Sequence, residues 1–308
     1  MAPEPRSDST QEHPCSHKPK VIYVMGAGRS GSTILGVTLG NCDGVFYAGE
    51  LDKWLLRSGE PKLTGHERTT FWKNVKNEVS DPEPLYGPEA HRDMERSSAL
   101  FMVGGRSVRK RIRDSYLRLM EELYGAIAAN ARATHVVDTS HYPLRARQLQ
   151  SLDGIELYLL LLVREPQQVI ASFARGDVQE PRFNPAKTRA YLLLTHLLSA
   201  WVFARHPPER RFVLANEDFA ADPEGVLRSL LEHVDSPAPI PDLSSLRTGI
   251  PLQGNRLIRD EVVSLKPPSP RARPGLLSRA LDFPTKAPVA RLRPRISSRE
   301  RSEADGRL

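Results

Sequence analysis

The run Lys20-Val-Ile-Tyr-Val-Met25 passes directly into a glycine-rich turn, Gly26-Ala-Gly-Arg-Ser-Gly-Ser-Thr33. A short apolar, β-rich run that stops at glycine reads as a strand buried on both faces, the pattern of a parallel sheet. Parallel strands need a crossover, and Ser32-Thr-Ile-Leu-Gly-Val-Thr-Leu39 supplies apolar residues at helical spacing. The same alternation continues along the chain. Strands are predicted at 44–47 (closing on Ala48-Gly49-Glu50), 135–138, 156–163 and 211–215. Helices are predicted at 107–130, 143–152, 167–174, 189–205 and 222–234. In the first of these, Tyr116, Leu119, Met120, Leu123, Tyr124 and Ile127 form the stripe of an amphipathic core helix. Residues 57–95 mix Gly, Pro and charge without a sustained period and read as a loop-rich insertion with at most short helices. Strands alternating with helices predict an α/β domain around a parallel sheet.

Composition decides what lies outside that domain. The chain has 308 residues and a net charge of +7, but residues 266–308 alone hold eleven Lys or Arg against four Asp or Glu. That excess equals the charge of the whole chain, so the body is close to neutral, and its basicity does not predict nucleic-acid binding. Residues 1–19 lack apolar periodicity and read as a disordered leader, residues 20–262 as the folded domain, and residues 263–308 as a largely disordered basic tail. His13, Cys15 and His17 fall in the leader, where nothing completes a metal site, and no metal is predicted elsewhere. Cys15 and Cys42 are the only cysteines, which fits a reducing, cytoplasmic setting without a disulfide framework. No signal peptide or apolar run of membrane-spanning length is present, so stable membrane insertion is not expected.

The turn at 26–33 admits three readings with one physical base: glycines let backbone N–H groups close on anionic oxygens at a helix N-terminus. As G-x-G-x-x-G it matches a dinucleotide loop, with Glu50 placed to bind a ribose. As G-x-x-x-x-G before Ser-Thr it matches a triphosphate loop, with Asp138 as the metal-holding acid, although Ser32 stands where the lysine should be. As a phosphosulfate loop it offers Gly28, Arg29, Ser30, Gly31, Ser32 and Thr33, a cation and three hydroxyls that need no metal. The fold class expected for the chain is α/β, a phosphate-loop type three-layer fold with a central parallel sheet flanked by helices.

A second constellation favours the third reading. Leu-Val-Arg164-Glu-Pro166 ends the strongest predicted strand, and Ser172 lies eight residues beyond the arginine. The arginine leaves the strand's carboxyl edge and the serine sits about two helical turns on, so both can reach one phosphate. With these residues the chain resembles the PAPS-dependent sulfotransferases (PAPS is 3′-phosphoadenosine-5′-phosphosulfate), especially the bacterial and tyrosylprotein-type branches. The resemblance extends to Ala48-Gly-Glu50-Leu, Val137-Asp-Thr-Ser140-His-Tyr-Pro143, Asn216-Glu-Asp218-Phe with Asp222-Pro-Glu224, and Gly254-Asn255-Arg256. It covers about residues 20–260.

The resemblance implies sulfuryl transfer from PAPS to a hydroxyl of a small molecule, carbohydrate or lipid. Glu50 would be the general base, Arg29 and the loop would meet the 5′-phosphate, and Arg164 with Ser172 would hold the 3′-phosphate. Asn255 and Arg256 would close over the cofactor. His141 occupies the place where relatives often carry a lysine; it could serve as a donor there or be an ordinary loop histidine. The rival readings are a phosphate-loop phosphotransferase or kinase and a nucleotide-binding protein without transfer activity. The acceptor loops are expected at 57–106 and 176–190.

Overall fold

Alternating burial along one strand organises the molecule. The computed structural model describes residues 18–80, 85–96, 105–174 and 184–265, together with Lys286 and Pro288. The leader with His13, Cys15 and His17, most of the basic tail, and residues 81–84, 97–104 and 176–183 of the expected acceptor loops lie outside the described residues. In β1 (Lys20–Gly26), Val21, Tyr23 and Met25 enter one apolar cluster while Ile22 and Val24 enter another on the opposite face. Both faces are covered, which is why the strand reads as continuously apolar.

Five strands form one parallel sheet in the order β2-β3-β1-β4-β5, with β2 at Val45–Gly49, β3 at His135–His141, β4 at Glu156–Val163 and β5 at Arg211–Ala215. The chain leaves β1 through α1 (Ser32–Leu39) toward the β2 edge. It leaves β3 through α6 (Pro143–Leu149) toward β4, on the other side of β1. Leu35, Val37 and Leu39 of α1 pack on one face, and Ala146 and Leu149 of α6 on the other. This reversal makes a crevice at the carboxyl edge between β1 and β3, the place where open α/β sheets bind ligands.

The face shared with α1 is completed by α9 (Asn216–Ala221) and α10 (Pro223–His233), whose Phe219, Leu227, Leu230 and Leu231 are buried. Burial of each such side chain stabilises the fold by about 1.5–3 kcal/mol. The Asp222 side chain caps α10 by accepting from the Gly225 N–H at 2.9 Å. The face shared with α6 carries α2 (Lys53–Arg57), α3 (His66–Asn77), α4 (Pro88–Glu95), α5 (Gly105–Ala131) and α8 (Pro185–Phe203), while α7 (Pro166–Ala174) packs against α8. A small antiparallel pair, β6 (Leu246–Arg247) and β7 (Val262–Val263), ends the folded body.

The segment 57–95 departs from its sequence reading as loop-rich. It contains α3, twelve residues long, and α4, and Trp72, Val75 and Met94 are fully buried against α5 and α2. Only a narrow edge of each helix is apolar, and the charged remainder conceals the period. Cys42 is a buried free thiol whose pKa burial pushes up to about 12, so it is inert. No helix among the described residues is long and apolar enough to cross a membrane.

Candidate active site

Each sheet strand delivers a candidate residue to the carboxyl edge. Across the sheet the order is Glu50 after β2, His141 at the end of β3, the 26–33 turn after β1, Arg164 after β4 and Asn216 after β5. Neighbouring strands are about 4.8 Å apart, so Glu50 and the turn are separated by roughly 10 Å. Residues scattered over most of the chain thereby form one row, with the turn at its centre.

The turn is held in an unusual backbone. Gly31, the N-cap of α1, has φ +97°, and a Cβ there would lie 2.3 Å from Asn216 Nδ2. Arg29 has φ +68°, a left-handed conformation that costs a non-glycine residue about 1–3 kcal/mol. Such strain persists only where the surroundings impose it, and here they do. The Arg29 carbonyl accepts from Arg164 Nη1 at 2.9 Å, and Arg29 Nε donates to Ser172 Oγ at 3.0 Å. The Gly28 N–H donates to the Tyr191 hydroxyl at 2.8 Å. Arg29, expected at one phosphate, and Arg164 with Ser172, expected at another, thus meet at one junction. Ser30 Oγ is buried and has no hydrogen-bond partner among the described residues, while Thr33 is buried and Ser32 half-buried in the first turn of α1. A buried orphan hydroxyl next in sequence to Arg29, in a glycine turn at a helix N-terminus, fits an anionic ligand. Gly31→Ala should cost about 1–3 kcal/mol and displace Asn216, which urea unfolding would read directly. An unfolding midpoint unchanged from the wild type would show that the turn tolerates a Cβ.

At the other end of the row, the Glu50 N–H donates to the Gln253 carbonyl at 2.9 Å, and Gln253 Nε2 donates to Glu50 Oε2 at 3.3 Å. Gln253 therefore brings this segment to the β2 edge. Asn255, however, uses its side chain to cap the following 3-10 turn, accepting from the Leu257 N–H at 2.8 Å, and Arg256 is exposed. Their proposed place over the cofactor draws no support from these contacts. His141 has φ +59°, and the pairing of β3 with both neighbours slips at its carboxyl end. Such bulges re-aim a strand end.

A buried polar cluster that sequence reasoning missed lies behind this edge. Arg145 is fully buried and donates to Asp138 Oδ2 from Nε at 3.1 Å and from Nη2 at 3.0 Å, and to Glu95 Oε1 from Nη1 at 2.5 Å. Tyr124 donates to Asp138 Oδ2 at 2.6 Å, and Tyr116 donates to Glu95 Oε1 at 2.9 Å. Asp138 Oδ1 accepts from the Ser140 N–H at 2.9 Å and from the Ser140 hydroxyl, which itself accepts from the Asp52 N–H at 2.8 Å. Both Asp138 oxygens are committed to this lacing and are turned inward. The acid required for metal-dependent triphosphate chemistry is therefore engaged elsewhere.

Asp52 anchors a further group. Its Oδ2 lies 2.6 Å from Lys53 Nζ and 2.9 Å from His91 Nε2. Burial alone would raise the Asp52 pKa, but the His91 hydrogen bond and the Lys53 charge hold it down at about 2. Burial likewise opposes the Lys53 charge, and the Asp52 carboxylate outweighs it, keeping the ammonium above its ordinary range. These residues come from α2 and α4, whose sequences carry no motif that would have revealed them.

No protein-family model matches the chain, and no curated protein matches it by sequence. Solved structures do. A sulfotransferase domain from the curacin biosynthetic pathway aligns over 89% of this chain and 97% of its own length, at 18% identity and TM-score 0.55. The sulfotransferase domain of the Synechococcus PCC 7002 olefin synthase aligns over 90% and 96%, at 16% identity and TM-score 0.54. The fold of this chain is that of a sulfotransferase domain.

Proposed function

We propose that the chain is a sulfotransferase that moves a sulfuryl group from PAPS to a hydroxyl of a small molecule, carbohydrate or lipid. The observation that carries this reading is the junction of Arg29, Arg164 and Ser172 beside the orphan hydroxyl of Ser30. Two guanidinium groups at the edge of a glycine turn provide for two separate phosphate groups, which an adenosine carrying both 3′- and 5′-phosphates possesses. A triphosphate reading would need a metal-holding acid, and Asp138 is committed to Arg145, Tyr124 and Ser140.

In the proposed reaction the acceptor oxygen forms a bond to sulfur while the bond from sulfur to the bridging oxygen of the 5′-phosphate breaks. Glu50 takes the acceptor's proton, and the leaving phosphate departs with the electron pair. Arg29 and the N–H groups of the turn stabilise the charge growing on that phosphate, with His141 beside them. Little covalent chemistry falls to the protein, so positioning and charge carry the rate.

Calorimetry with 3′,5′-adenosine bisphosphate, adenosine monophosphate and NAD tests the reading. The bisphosphate should bind at micromolar concentration, and Arg164→Ala should weaken it at least about tenfold, the effect of losing a charge-assisted hydrogen bond. Equal affinity for adenosine monophosphate would remove the sulfotransferase reading.

A further inference from the structure

We propose that the acceptor carries an anionic group, a carboxylate or a phosphate, which Arg96 and Lys53 receive beside Tyr142. This inference rests on the sulfotransferase reading and names the substrate class of the same site.

Tyr142 follows His141 at the carboxyl edge of β3, and their rings stand 4.4 Å apart between centroids. Its carbonyl accepts from the buried Tyr23 hydroxyl at 2.9 Å, which fixes the backbone at this point. Lys53 Nζ and Arg96 Cζ each lie 5.7 Å from the centroid of the Tyr142 ring. Two cations from different helical segments thus converge on one aromatic ring next to a candidate site residue. Lys53 follows Glu50 by three residues, so the pair of cations borders the proposed base. The phenol is itself held neutral by burial and by the Asp52 charge, with a pKa pushed up to about 12, so it offers no counter-charge.

Lys53 feels two carboxylates, Asp52 first and then Glu50, and Arg96 is the less compensated of the two cations. Asp52 is shared between Lys53 and His91, whereas Arg96, which is exposed, pairs with no carboxylate among the described residues. An exposed cation gains little from lying on a ring, so the contact alone does not account for Arg96. A guanidinium lying against an aromatic face keeps its N–H edge for a planar anion, which it can bind through two parallel hydrogen bonds. A hydroxyl compound whose anionic end rests on Arg96 and Lys53 would present its hydroxyl toward Glu50 and the turn. Arg96 also caps the C-terminal end of α4, where a cation is favourable. That role acts on stability and leaves ligand preference untouched.

Two titrations of the full chain separate the possibilities. The first measures 3′,5′-adenosine bisphosphate alone; absence of binding defeats the sulfotransferase reading and this inference with it. The second, on the chain saturated with that nucleotide, compares 4-hydroxyphenylacetate, 4-hydroxybenzylphosphonate and the neutral 4-hydroxyphenylacetamide. At least one acid should bind ten or more times more tightly than the amide, and the tighter of the two identifies the anion. Arg96→Ala should erase most of that preference while nucleotide affinity stays within twofold, and Arg96→Lys should restore part of it. Equal binding of acids and amide, an unchanged preference in Arg96→Ala, or no binding of either acid to the nucleotide complex would overturn the anionic subsite alone.

Discussion

Replacing Glu50 by glutamine is expected to slow sulfuryl transfer by roughly 10²–10⁴-fold, the usual worth of a positioned general base. The substitution is nearly isosteric and keeps an oxygen that can accept from Gln253 Nε2, the contact observed at 3.3 Å. The backbone bond from the Glu50 N–H to Gln253 is also unaffected. Nucleotide affinity should therefore remain within a factor of two, because Glu50 stands two strands from the turn. Turnover should fall while the KM for the nucleotide donor barely moves, the signature of a group that acts in the transition state. Steady-state release of 3′,5′-adenosine bisphosphate measures both quantities. Turnover within threefold of the wild type would assign Glu50 to holding the 253–256 segment and require another base.

The sheet and the glycine turn were legible because each is written locally. β4 and β5 have the bounds expected from their apolar runs, and α1 begins and ends where its spacing does. Arg164 and Ser172 could be paired from sequence because strand, turn and helix fix their separation, but that each bonds Arg29 is a contact the spacing did not contain. Legibility failed where contacts depend on how helices pack. α9 has only six residues, too few to show a period, and α3 hides Trp72 and Val75 among charges. Lys53, Arg96 and Tyr142 come from three separate places and meet only once α4 packs on α2. Arg145 and Glu95 each look like an ordinary solvated charge, since a sequence records no burial. Only the folded chain shows that each is the other's partner.

That partnership sets the second large effect. Arg145→Met should lower the unfolding free energy at pH 8 by about 3–5 kcal/mol, because it leaves buried carboxylates without their cation. Asp138 would lose two donors and keep Tyr124 and Ser140, whereas Glu95 would keep only Tyr116. Glu95 is already strained in this sense. Burial raises its pKa from 4.5 to about 7 although Arg145 pulls the other way. An acid whose folded pKa exceeds its unfolded value stabilises the fold fully below the unfolded value and loses that contribution as pH rises through the folded one. In the wild type this loss falls between pH 4.5 and about 7. Without Arg145 the folded pKa climbs further, so the variant continues to lose stability above pH 7 where the wild type has levelled off. Urea unfolding at pH 5 and pH 8 reads the difference: the deficit of Arg145→Met should be clearly larger at pH 8. A deficit below about 1 kcal/mol at both values would mean that water or a backbone shift replaces the guanidinium. Because Asp138 also holds Ser140, which accepts from the Asp52 N–H, the same variant should loosen the end of β3. Hydrogen exchange at 139–142 should then quicken before the sheet as a whole unfolds.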